Sequence, residues 1–118
     1  MRTLPAAASL LLALFAGTTA DAHAFLDHAS PLVGGTVAAA PHEVTLWFTQ
    51  SIEPAFSRVE VTDANGARVD QGKAQVSGTT MRVGLKPVGA GTYRVHWHVL
   101  SVDTHTTQGS FTFHVGGR

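Results

Sequence analysis

The chain has 118 residues, 44% of them apolar, with 8 Lys and Arg balanced by 8 Asp and Glu, 7 His and no Cys. A net charge of zero leaves no electrostatic footprint for nucleic acid or anionic lipid, and the lack of cysteine excludes a disulfide framework, an iron–sulfur cluster and a thiolate zinc site. One globular domain suits this length and apolar content, and the residue in excess is histidine.

Met1-Arg2-Thr3 opens the chain with a positive charge, Leu4 to Gly17 is almost wholly apolar, and Ala20-Asp21-Ala22 sets small residues at the minus-three and minus-one positions of a cleavage site. This is the pattern of a secretory signal peptide over residues 1–22. The apolar run is short of the roughly 20 residues needed to cross a bilayer, which argues against an uncleaved anchor helix. Cleavage after Ala22 removes Arg2 and Asp21, leaves a neutral domain over residues 23–118, and makes His23 the N-terminus. A rival small-residue site, Ala22-His23-Ala24, would cleave two residues later and remove His23.

Beyond the signal the hydrophobic period is two. Phe25-Leu26 is placed to open a first strand. Pro31, Gly34, Gly35 and Pro41 punctuate a loop before His42–Thr49, in which Val44, Leu46 and Phe48 share one face and Trp47 lies on the other. Phe56–Thr62 alternates and runs into Asp63-Ala64-Asn65-Gly66, whose Asn-Gly pair signals a hairpin. Met81–Lys86 repeats the pattern, and Tyr93–Val99 and Phe111–Val115 are the most regular strands of the chain. Short strands set off by Gly, Pro and Asn, with no amphipathic helix, predict an all-β fold: an antiparallel sandwich or a small barrel.

The chemistry lies with the histidines and their neighbouring carboxylates. Leu100–Thr107 is polar enough to form a loop between the two strongest strands, and within it Asp103 and His105 are two residues apart. In an extended segment both side chains point to one side. A terminal His23 adds an α-amine and an imidazole, so the three residues offer three nitrogens and one oxygen, a set suited to tetragonal Cu(II). An Asp-x-His pair alone is weak evidence, because most such pairs are solvated loop residues. Its coincidence with a terminal histidine in an exported, cysteine-free chain favours a metal site.

The sequence resembles the periplasmic copper-resistance family CopC. The resemblance rests on His23-Ala24-Phe25-Leu26 followed by Ser30-Pro31, on Val44–Thr49, on Gly91–Trp97, and most specifically on Val99–His105 followed by Gly109–Phe113. It spans nearly all of residues 23–118. It implies an immunoglobulin-like β-sandwich or Greek-key β-barrel of about seven antiparallel strands that binds Cu(II), with His23 matching the terminal ligand and Asp103 and His105 the loop ligands. Some members add a Glu after the position of Phe48, where this chain has Gln50, and Glu53 is the nearest carboxylate in sequence. Others carry a Met-rich Cu(I) loop, whereas Met81 is the sole methionine left after cleavage and falls in a strand. The reading is therefore a Cu(II)-only, periplasmic, non-enzymatic copper protein, and by resemblance a membrane copper transporter of the CopD type is its expected partner.

The remaining histidines have simpler readings. His96, His98 and His114 fall opposite the apolar faces of their strands and decorate solvent, or form a second, weaker metal patch if those strands are neighbours. His28 and His42 are expected at the surface, although His28 lies near enough in sequence to reach the metal. Trp47 and Trp97 are expected to serve packing. Two rival functions are a copper-dependent polysaccharide monooxygenase, for which residues 23–118 leave little room to build a flat polymer-binding surface, and a metal-free immunoglobulin-like interaction module.

Overall fold

The computed structural model describes residues 24–116; the expected signal segment over residues 1–22 and His23 lie outside the described residues. Eight strands follow in order: β1 (Leu26–Ser30), β2 (Thr36–Val37), β3 (Glu43–Phe48), β4 (Arg58–Thr62), β5 (Asp70–Ser77), β6 (Thr80–Leu85), β7 (Gly91–Leu100) and β8 (Thr106–Val115). They form two four-stranded sheets, β1-β3-β6-β5 and β2-β8-β7-β4. The fold is thus an open sandwich, and among the described residues no strand is shared between the sheets to close a barrel.

Alternation drives the packing. Val44, Leu46, Phe48, Met81 and Val83 project from one sheet, and Val59, Val61, Val95, Trp97, Val99, Phe111 and Phe113 from the other, all buried. Phe48 meets Trp97 edge to face at 5.2 Å, joining the two sheets. Trp97 is a packing residue as expected, and Met81, fully buried, belongs to this core. Trp47 points outward from β3 and is half-buried beneath His28 of β1, whose ring stacks on it at 4.3 Å.

Three expectations are corrected. The strand expected from Phe56 begins at Arg58, because Pro54–Phe56 forms a 3-10 turn that leaves Phe56 exposed. Not every pairing is antiparallel: β2, inside the Pro31–Pro41 loop, runs parallel to β8. The Asn-Gly signal does not produce a two-residue turn, since Asn65 keeps negative φ. Instead Gly66 donates to the Asp63 carbonyl at 3.0 Å and Asp63 donates to that of Ala67 at 2.9 Å. With Gly66 at φ +85° this is a three-residue loop, reinforced by Asp63 Oδ1 accepting from Asn65 and Ala67 N–H groups. Beyond it the chain crosses to the other sheet as β5, a polar edge strand whose pairing with β6 slips register between Gln71 and Gln75.

Candidate metal centre

The β7–β8 connection is shorter than its polar sequence suggests. Leu100 pairs with Thr106, so only residues 101–105 form the loop. Thr104 donates to the Ser101 carbonyl at 2.9 Å, Ser101 donates to that of His105 at 2.9 Å, and Thr104 adopts φ +73°. Asp103 and His105 are therefore brought together by a tight turn and not by an extended segment. His105 Nδ1 lies 3.3 Å from Asp103 Oδ1.

Ser101, which the sequence reading passed over, is the pivot of this turn. Fully buried, it donates its hydroxyl to Asp103 Oδ1 and accepts the His105 N–H at 3.3 Å. The signal for it was a hydroxyl residue two positions ahead of a loop aspartate, a local side-chain hydrogen-bonding pattern. The Ser101 hydrogen bond first, and the neighbouring His105 ring after it, hold the Asp103 carboxyl below its ordinary value against partial desolvation. Asp103 is consequently a carboxylate near neutrality, with an imidazole at its side, an oxygen and nitrogen donor pair of the kind divalent copper accepts.

The loop is tied to two neighbours. Val102 donates to the Ser51 carbonyl at 3.1 Å and Ile52 bridges Ser101, which sets residues 49–53 beside the turn. The start of the described chain is held at the same end: Thr107 donates its hydroxyl to the Ala24 carbonyl at 2.6 Å, and Phe25 and Thr49 exchange hydrogen bonds at 2.8 and 2.9 Å. Ala24 is entirely buried. Thr49 and Thr107 went unnoticed in the sequence, where neither differs from an ordinary strand-end threonine.

Among the described residues, no three His, Asp or Glu side chains gather to hold a metal ion. Glu53 does not join Asp103 and His105, and its N–H donates instead to the Leu100 carbonyl at 2.8 Å. His28 faces Asp27 at 2.7 Å and Trp47. The strands carrying His96, His98 and His114 are neighbours, but His114 pairs with Thr92, four residues along β7 from His96, so the three do not form one patch.

The model of the CopC domain family matches residues 26–116. The chain is 33% identical over 118 residues to Protein YobA of Escherichia coli (strain K12), covering 97% of this chain and 95% of that protein. It is 32% identical over 123 residues to Copper resistance protein C of Xanthomonas campestris pv. juglandis, covering 97% and 96%. The crystal structure of CopC from Methylosinus trichosporium OB3b superposes with a TM-score of 0.76 at 32% identity, over 81% of this chain and 96% of that one. A two-sheet sandwich with a carboxylate–imidazole turn at one end is thus the framework of a copper-related protein. The chain belongs to the CopC family.

Proposed function

We propose that the chain, exported to the periplasm and cleaved after Ala22, binds one Cu(II) and buffers or shuttles it in copper resistance or homeostasis. Nitrogens come from the His23 amine and imidazole and the His105 imidazole, and an oxygen from Asp103, which also offsets metal charge. The observation that carries this reading is the turn that sets Asp103 against His105 while Thr107, two residues further on, anchors the carbonyl of Ala24. Residue 23 is one peptide bond from that anchor. One of those relatives is named Copper resistance protein C, and we read this chain as a carrier and not an enzyme, delivering to or receiving from a membrane transporter of the CopD type.

This ligand set links copper loading to processing, because the α-amine of His23 does not exist in the precursor. Cu(II) titration followed by electron paramagnetic resonance on a chain starting at His23, and on one with a single extra residue before it, tests the reading. The native start should bind one Cu(II) with a nitrogen-rich tetragonal spectrum and the extended start much more weakly; Asp103→Ala and His105→Ala should each weaken binding sharply. Equal affinity in all four proteins overturns the assignment.

A further inference from the structure

The outer face of the β2-β8-β7-β4 sheet carries a second pair of imidazoles, on a strand rather than a loop. In β7 the buried residues Tyr93, Val95, Trp97 and Val99 alternate with half-buried His96 and His98, so both histidines leave the sheet on the same side. At the rise of a strand their Cα atoms lie about 7 Å apart, within the span that two imidazoles need to share one ion. His114 is excluded by register, about 13 Å along the strand direction from His96.

Each ring is differently prepared. His96 Nδ1 lies 3.0 Å from Ser110 Oγ on β8, which fixes the ring and turns Nε2 away from that partner. A hydrogen bond at the far nitrogen is also what orients metal-bound histidines in general. His98 Nδ1 is buried with no hydrogen-bond partner, an arrangement that is costly for a polar atom. The ring lines an open pocket bounded by Phe56, Ser57, Arg58, Leu100 and Thr106, and a half-turn about χ2 would exchange that orphaned nitrogen for a carbon. Across β4, Glu60 is paired with His96 and brings a carboxylate that it shares with Arg68 at 3.9 Å, while exposed Arg58 is paired with His98 and lines the same pocket.

We propose that His96 and His98 form a second, weaker divalent-metal site, bidentate through the two imidazoles and completed by water. Neutral imidazoles without a thiolate favour Cu(II) over the other divalent first-row ions. The site stands on β7 alone and requires neither Asp103 nor His105.

The experiment is a Cu(II) chloride titration followed by NMR line broadening and electron paramagnetic resonance. It uses the chain starting at His23, the Asp103→Ala/His105→Ala double variant, and each of these with His96→Gln and His98→Gln added. A binding event that broadens β7 together with Gln108 and Ser110, and is lost with the glutamine substitutions, is the expected result in both backgrounds, as the second equivalent in the chain starting at His23 and independent of the loop in the double variant. Binding that survives both glutamines, broadening confined to other residues, or no such event in either background would overturn the proposal. Thermal unfolding of the glutamine variants verifies that the sheet is intact. Failure of the loop site would show separately, as a first equivalent indifferent to Asp103→Ala and His105→Ala.

Discussion

Thr104 occupies in the β7–β8 loop the position that Gly66 holds in the corner after β4. Both donate to the carbonyl three residues back, at 2.9 and 3.0 Å, and both have left-handed backbones, φ +73° and +85°. Glycine accepts that conformation readily, whereas a β-branched residue is strained there by about 1–3 kcal/mol. The strain falls between Asp103 and His105, the two residues that the turn must hold together.

Thr104→Gly should therefore raise stability by about 1 kcal/mol, with the larger backbone freedom of glycine in the unfolded chain offsetting part of the relief. Copper affinity should fall in the same protein as the turn loosens. Urea unfolding and a competitive Cu(II) titration measure the two effects, and an unchanged or lowered unfolding midpoint would count against strain at this residue.

Ser101→Ala removes the hydroxyl shared by Asp103 and the His105 N–H. We expect a loss of about 1–2 kcal/mol in stability from the hydrogen bonds of a fully buried group. Because the hydroxyl orients both loop donors, copper affinity should drop about 10–100-fold. A variant with altered melting but native copper affinity would confine Ser101 to a structural role.

Gly109 lies opposite Trp97 in the β7–β8 ladder, and a Cβ there would sit 2.6 Å from the indole Cζ2. Gly109→Ala should displace the indole from the core and destabilise the sandwich by about 1–3 kcal/mol. Trp97 fluorescence and a denaturant midpoint provide the check, and a wild-type midpoint would show that the sheet yields without cost.

How far these features could be read in advance depended on how strongly each side chain declared its environment. Strands β3, β6, β7 and β8 announced themselves because Val44, Leu46, Met81, Val83, Tyr93, Val95, Phe111 and Phe113 recur at every second position against a buried interface. Strand β5 was hidden, since an edge strand whose inward positions include only Ala74 and Val76 has little apolar pattern to display. The pairing of Asp103 with His105 was legible as spacing, but the turn that creates it was not: a threonine at positive φ is the conformation that propensity argues against. Ser101 was obscured for a related reason, because its importance lies in hydrogen bonds to residues whose convergence had first to be known.

Asp70 offers a test of electrostatics away from the candidate metal centre. Its carboxylate accepts two hydrogen bonds from Arg68, at 2.7 and 2.8 Å, and one from the Val61 N–H at 2.9 Å. The Arg68 contact foremost holds the Asp70 carboxyl below its ordinary value of 3.8, against the opposing effect of burial. A carboxylate whose pKa is lower folded than unfolded contributes stability above the unfolded value and loses it as pH falls through the folded one. Asp70→Asn should thus be less stable than the wild type by about 1–2 kcal/mol near neutrality, a figure tempered by the solvent exposure of Arg68. The gap should narrow as pH drops below 3.8, and thermal melts across that range would refute the linkage if it stayed constant.

Strand β5 has a bearing on how the molecule behaves in company. It lies at the rim of its sheet, where unpaired backbone groups can template the strand of another chain. Here the rim is broken by the register slip between Gln71 and Gln75, twisted at Gly72 with φ +79°, and charged by exposed Lys73. A second molecule approaching this border finds no straight, apolar ledge to extend, so crowding many copies together does not propagate one sheet into the next along it.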